Sequence, residues 1–347
     1  MLKTASFWLR AIIMGMIAWL LSKVTSIYLP VILAIILSFL LNWVVDFFVA
    51  LPKRWGKRQM PRSLAVLLSF VVALFAIVLA VLFIIFPFIQ EFDKFVIDLP
   101  GLVRRIQFVL VVIEQQAAAL ELPDNLRDLL NQGIANMATF SVEMAKRILN
   151  AIFGFASQAV ELIVVPVLTY YLLKDWRSLQ MGLIHAFSVQ YRQQLQNVTN
   201  EMGSVISGYI RGQIVISIIM GILVFGGMYI LGVEYPLVLG LLAALTEAIP
   251  IVGPIIGAIP AILLAYIAAP ALAVKVVIFY ILIQQIENHL IVPNIMGHTI
   301  DLHPILVVIS LLIGGHIYGV VGMILAVPVT ALLRVIIRHL WYYGENR

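Results

Sequence analysis

Apolar residues run in long blocks along this chain, and short clusters of charge separate the blocks. The blocks at 7–27, 28–50, 63–88, 148–173, 205–231 and 271–291 match the roughly 20 residues that a helix needs to cross a hydrocarbon core of about 30 Å. None shows the period-two alternation of an outer-membrane strand, so the pattern predicts spanning α-helices. Two further blocks begin at Pro236 and Pro304 and have a different character. An unbroken helix over 236–268 would be about 50 Å long, too long for one upright crossing. Each block is interrupted in its middle, by Ile249-Pro250-Ile251-Val252-Gly253-Pro254 in the first and by Gly314-Gly315-His316-Ile317-Tyr318-Gly319 in the second. Proline and glycine at these points make a kink or a re-entrant turn cheaper than a continuous helix.

The two interrupted blocks read as a repeat. Moving the first forward by 68 positions lays Pro236 on Pro304, Ile249 on Ile317, Val252 on Val320, Ile256 on Ile324, Ala258 on Ala326, Pro260 on Pro328 and Leu264 on Leu332. Paired broken helices in corresponding parts of a membrane protein point to the binding site of a transporter. The pattern leaves two models open, re-entrant hairpins or kinked single crossings. Both put the carboxyl end on the same side of the membrane.

Composition supports the membrane reading. With 63% hydrophobic residues, 11% charged residues and a mean hydropathy of +1.08, there is too little polar surface to solvate a globule of 347 residues. The net charge of +5 comes from bases dispersed beside apolar blocks, which is an orientation signal and not a nucleic-acid surface. Lys53, Arg54, Lys57, Arg58 and Arg62 crowd one short loop and place it, with both chain termini, in the cytoplasm. Lys3 and Arg10 ahead of the first block resemble a signal peptide, but that block has no small-residue cleavage site and runs into a second one, so a retained helix is expected. There is no cysteine, hence no disulfide and no thiolate metal site.

Four segments follow from this pattern: amino-terminal membrane helices at 1–89, an external amphipathic helical segment at 90–146, central membrane helices at 147–232, and a carboxyl-terminal membrane region with the two broken repeats at 233–347. The external segment carries eight acids against five bases, and Leu102, Ile106, Val109, Leu110 and Ile113 recur at helical spacing. The expected fold is all-α and polytopic, with about eight membrane segments, two of them broken or re-entrant.

Several spaced motifs carry a resemblance. The stretches Tyr170-Tyr171-Leu172-Leu173-Lys174-Asp175, Tyr209-Ile210-Arg211-Gly212-Gln213 and Thr246-Glu247-Ala248-Ile249-Pro250-Ile251-Val252-Gly253-Pro254 together resemble the AI-2E transporter family, also called PerM-like permeases. Pro293-Asn294-Ile295-Met296-Gly297, Leu302-His303-Pro304 and Gly314-Gly315 through Gly319, Gly322 and Pro328 resemble its carboxyl half. The resemblance implies a multi-pass inner-membrane protein and a homo-oligomer, with export of autoinducer-2 in some members and sodium or lithium exchange for protons in others.

Ionisable and polar groups at membrane depth are the candidates for transport chemistry, because each costs a few kcal/mol to insert. Glu247 stands three residues before Pro250, where the broken helix frees backbone groups; it either serves the transport path or caps those freed amides. Pro250, Gly253 and Pro254 form the break itself. Gln284, Gln285, Glu287, Asn288 and His289 end the connecting span, with Gln284 and Asn288 one turn apart; they either line a cavity or emerge into water. Arg211 and Gln213 offer a positive charge and an amide, and Arg211 either pairs with Glu247 or Glu287 or snorkels to the interface. His316 sits in the second break and is a candidate proton-linked group. Asp46 and Glu161 read as solvated helix-end groups. His298, Asp301 and His303 match no zinc spacing and read as a surface loop.

No phosphate-binding loop, His-Glu-x-x-His or Gly-x-Ser-x-Gly occurs, so nothing here points to an enzyme or to a cofactor. The expected function is a secondary-active exporter or permease in the lipid bilayer for a small polar solute such as autoinducer-2. A sodium or lithium antiporter, with a monovalent cation as partner, and a non-transporting membrane scaffold are the alternatives.

Overall fold

The computed structural model describes residues 28–54, 60–95, 97–98, 159–297 and 302–342, with the single positions Met16, Gly101 and Gln132. The first block at 7–27, most of the external segment, and His298 and Asp301 therefore lie outside the described residues. Helices and turns make up the described residues, and no strand is found among them. The helices are α1 (Tyr28–Arg54), α2 (Arg62–Ala80), α3 (Ala159–His185), α4 (Val189–Leu231), α5 (Pro236–Thr246), α6 (Val252–Ala268), α7 (Pro270–Ile286), α8 (Val292–Met296) and α9 (Pro304–Tyr342). A π-helical turn at Val81–Ile85 extends α2 to Phe95, and a second one at Glu287–Ile291 joins α7 to α8. Five stretches are long and apolar enough to cross a membrane: Pro30–Pro52, Arg62–Phe95, Val189–Leu231, Pro270–Met296 and Pro304–Leu340. This is an all-α, multi-pass membrane protein.

Backbone contacts divide the chain into two compact units, with a boundary inside α2. In the first unit, α1, the start of α2 and α3 pack through Leu41, Val45, Ala65, Val66 and Leu173. Arg62 fastens them: its Nε donates to the Leu173 carbonyl at 2.6 Å and its Nη2 to Asn42 Oδ1 at 3.0 Å. Asp46 lies 3.7 Å from Arg62 Nη1 and accepts from Asn42 Nδ2. Arg62 and Asp46 are thus part of a helix clamp as well as charges near a membrane face.

The second unit holds the rest of α2 and everything from α4 onward, and α4 is its spine. That helix runs unbroken for 43 residues, whereas the hydrophobicity pattern predicts a span starting near 205. The polar stretch before 205 is the front of the same helix, its Gln, Arg, Leu, Glu and Met favouring helix over the weaker formers Asn197, Val198, Thr199, Asn200 and Gly203. Near its middle α4 crosses α5 closely: a Cβ on Gly221 would lie 2.7 Å from Ala244 Cβ, and one on Gly240 would lie 2.7 Å from Phe225 Cβ. Small residues at such crossings let backbones approach.

Both interrupted blocks fold back on themselves. In the first, α5 is only 11 residues, about 17 Å, and α6 returns alongside it. A Cβ on Gly253 would overlap the Thr246 carbonyl, and one on Gly257 would lie 3.3 Å from Ala243 Cα. In the second, α9 loses helical geometry at Tyr318 (φ −131°, ψ 17°) and Gly319 (φ 59°, ψ −136°). Positions 314 and 322 would be about 12 Å apart along a straight helix, yet a Cβ on Gly322 would overlap the Gly314 carbonyl. Leu311 and Ala326 likewise share one cluster. The two tips also correspond, since Ile251 has φ 68° and position 251 + 68 = 319 is the glycine at φ 59°. Ile249 and Val252 of the first tip pack with Leu311, Met323 and Ala326 of the second hairpin.

Gly253→Ala should destabilise the hairpin by about 2 kcal/mol or more, since its Cβ meets backbone that cannot yield. Gly226, with nothing within 4 Å of its Cβ position, should tolerate alanine or gain about 0.5–1 kcal/mol. Thermal unfolding of the two variants in detergent compares them directly.

Candidate functional site

A helix that stops at membrane depth leaves its last carbonyls without intrahelical partners, and this is where the polar side chains of the second unit gather. At the end of α5 the amides of Ala248 and Ile249 bond back to Leu245 and Thr246 carbonyls, and Gly253 donates to the Ile249 carbonyl at 2.8 Å. Pro250 contributes no amide. The tip closes in a γ-turn: Val252 N–H donates to the Pro250 carbonyl at 2.7 Å across Ile251, whose φ and ψ are 68° and −48°. This conformation is rare and strained for a β-branched residue. Pro254 sits in the first turn of α6, where no amide is needed.

Glu247 is the last residue before that tip, and it is 3% exposed. Its side chain does not cap the freed amides of Ala248, Ile249, Val252 or Gly253, which all find backbone carbonyls. Its own carbonyl accepts from Gln213 Nε2 of α4 at 2.6 Å. Its carboxyl group lies within hydrogen-bonding reach of the Glu287 carboxyl. Glu287 is 6% exposed, and its Oε2 accepts from Gln284 Nε2 at 2.7 Å. Four of the sequence candidates, Gln213, Glu247, Gln284 and Glu287, are therefore brought together from three elements.

Glu287 keeps the α-helical register of α7, its N–H bonding back to the Ile283 and Gln284 carbonyls. Pro293 cannot donate to the carbonyl four residues before it, and the backbone widens just ahead of it, with Val292 N–H reaching the Glu287 carbonyl. The widened turn shifts the side-chain register of the residues that follow Glu287. Gln284 and Glu287, three residues apart, share one face, Glu287 buried and Gln284 half-buried, while Gln285 and Asn288 are exposed. The i, i+4 pair of Gln284 and Asn288 expected from an ideal helix is not formed.

The other candidates lie apart from this cluster. Arg211 forms no ion pair with Glu247 or Glu287 among the described residues, and its Nε is buried without a partner. His316 is exposed near the second tip. His303 caps α9, its Nδ1 accepting from Ile305 N–H at 3.3 Å. No group of three or more His, Asp or Glu among the described residues could hold a metal ion.

Two functional contacts went unread in the sequence. Glu91 holds the start of the first hairpin, its Oε1 accepting from Leu237 N–H at 2.9 Å and Val238 N–H at 3.3 Å. It stabilises the orphaned amides and the positive end of α5, with Phe88 and Phe92 packed on Val238 beside it. The second is Tyr209, buried one turn before Gln213 on the same face of α4.

The family model described as AI-2E family transporter matches residues 9–341. The chain belongs to the AI-2E transporter family. Among similar proteins, "Putative transport protein YrrI" of Bacillus subtilis (strain 168) is 30% identical over 62% of this chain and 62% of its own length. "Putative transport protein YueF" of the same organism is 32% identical over 54% of this chain and 51% of its own length. "Putative permease PerM" of Escherichia coli (strain K12) is 27% identical over 78% of this chain and 76% of its own length. The chain thus spans less than two thirds of the two Bacillus relatives. As an AI-2E family member it is a multi-pass membrane protein of a transporter and permease class.

Replacing Gln213 by Leu leaves the Glu247 carbonyl unpaired and should cost about 1–3 kcal/mol. A lowered unfolding midpoint in detergent, relative to wild type, is the expected reading.

Proposed function

We propose that this AI-2E family member is a secondary-active carrier in the inner membrane, with both termini in the cytoplasm, and that the two hairpin tips line its path. The buried Glu247 and Glu287 carboxyl groups would bind and release the coupling proton or monovalent cation. The observation that carries this reading is their placement: two carboxyl groups in contact, hardly exposed, at the tip of a broken helix. Two bare carboxylates so close in a low dielectric repel strongly, so a proton or a cation between them lets the pair stay buried. A group that must take up and give up a cation to remain buried is what coupling requires.

The carried solute is proposed to be small and polar, with autoinducer-2 as the cargo suggested by the family resemblance. The strained γ-turn at Ile251 and the glycine at the second tip are the points where backbone rearrangement would open one face and close the other. Sodium or lithium exchange for protons is a second reading, favoured by the same carboxyl pair because the oxygens around it suit a monovalent cation. A scaffold without transport has no need for two buried acids at a helix break. Homo-oligomer formation is proposed on the family resemblance.

The test uses protein in liposomes, with labelled autoinducer-2 uptake and sodium-dependent dissipation of a pH gradient measured side by side. Glu247→Gln should reduce the active flux to the protein-free background while leaving membrane insertion intact. Solute flux without sodium-dependent proton movement supports the exporter, and the reverse supports the antiporter. Undiminished flux in Glu247→Gln contradicts the site.

A further inference from the structure

Among the described residues two buried polar side-chain atoms lack a partner, Nε of the half-buried Arg211 and the hydroxyl of the buried Tyr209, whereas the other buried polar side chains are satisfied. Ser69 donates to the Ala65 carbonyl, Thr169 to the Val165 carbonyl, Thr246 to the Ala243 carbonyl and Tyr280 to the Gly257 carbonyl. Glu287 takes the Gln284 amide, and the Glu247 carboxyl lies within hydrogen-bonding reach of Glu287. Tyr209 is 4% exposed, and its hydroxyl has no partner. A buried hydroxyl left unpaired destabilises the fold, and phenylalanine would fill the same space without that cost. A tyrosine retained there is explained by a partner that is absent from this conformation.

Its position says where that partner sits. Residues 209 and 213 are neighbours on one face of α4, about 6 Å apart along the axis. Gln213 donates to the Glu247 carbonyl at 2.6 Å, so this face of α4 abuts the first hairpin tip. Gly212, between them, carries no side chain: a Cβ there would lie 2.9 Å from Met296 Cγ. Tyr209 and Gln213 are therefore on a face against which both the hairpin tip and α8 close.

We propose that Tyr209 is a solute-contacting residue, whose hydroxyl and the neighbouring Gln213 amide form the wall of the site that faces the first hairpin tip. This rests on the transport reading given above. A hydroxyl and a carboxamide each donate and accept, so the ligand they fit is a small neutral solute bearing hydroxyl or carbonyl oxygens. The bare cation fits them less well, because it uses acceptors alone. In the present conformation the tip lies against α4 and the hydroxyl is enclosed. When the tip moves, the hydroxyl meets the solute, and its hydrogen bond contributes to binding in that state.

Tyr209→Phe removes the hydroxyl and keeps the ring, so the fold persists. In liposomes with labelled autoinducer-2, the variant should show KM raised about tenfold, kcat little changed, and an unfolding temperature equal to or above wild type. Sodium-dependent proton movement, measured in the same vesicles, should be unaffected. Tyr209→Leu serves as a second variant that also lacks the hydroxyl and should raise KM at least as far. A wild-type KM in Tyr209→Phe, with Glu247→Gln inactive, overturns this inference and leaves the carboxyl site standing. A lower unfolding temperature with KM unchanged assigns the hydroxyl a structural role and overturns it as well. Wild-type behaviour in both Tyr209→Phe and Glu247→Gln overturns the carboxyl site and this inference with it, and a wild type that moves protons with sodium but carries no autoinducer-2 overturns this inference while leaving the antiporter reading standing.

Discussion

The arrangement depends on backbone meeting backbone at glycine. Thr246 against Gly253 and Gly314 against Gly322 are approaches that no side chain could share, and they turn two apolar blocks into hairpins. At membrane depth each backbone group needs a partner, so ending a helix there is costly unless the turn resolves its own amides and carbonyls. The first tip does so through bonds to Leu245, Thr246, Ile249 and Pro250 carbonyls and the Gln213 side chain. The strained φ at Ile251 is the residual cost.

The buried acidic pair of the second unit follows from that tip. Because α5 stops at Thr246, Glu247 projects from a helix end and not from a lipid-facing surface, and it reaches Glu287 across the hairpin. Glu287 ends α7 in helical register with Gln284, at the start of the π-turn ahead of Pro293. A helix break and the end of a neighbouring helix thus meet in one buried acidic pair, and α4 supplies the amide that bonds the Glu247 carbonyl. Glu91 secures the other end of α5. Movement of the hairpin would therefore load or release contacts at both of its ends.

Much of this was legible in the chain. Pro250, Gly253 and Pro254 announced the first break, and Gly314, Gly315 and Gly319 the second, because proline and glycine act on the backbone wherever they stand. Glu247 stood out as an acid in an apolar run. What the sequence left open was decided by contacts between distant residues. Whether each block crossed or returned depends on the pairing of 246 with 253 and 314 with 322, and both models share one hydrophobicity pattern. Gln284 and Glu287 were found among five polar neighbours, but an ideal helix makes both Glu287 and Asn288 neighbours of Gln284; the buried contact with the hairpin tip falls to Glu287. Glu91 looked like one acid in an external amphipathic segment, since its partners Leu237 and Val238 lie 146 and 147 residues away. Tyr209 could have been noticed from its i, i+4 spacing to Gln213, but a tyrosine in an apolar helix carries no mark of an unpaired hydroxyl.

The central claim is that Glu247 and Glu287 act as one proton- or cation-holding pair. Infrared spectroscopy of the purified protein in lipid, without sodium or lithium, tests this most directly. The account predicts a protonated, hydrogen-bonded carboxyl band at neutral pH that disappears in both Glu247→Gln and Glu287→Gln and is displaced by adding a transported cation or raising the pH. A wild-type spectrum without that band, or a band that survives in both variants, would contradict it.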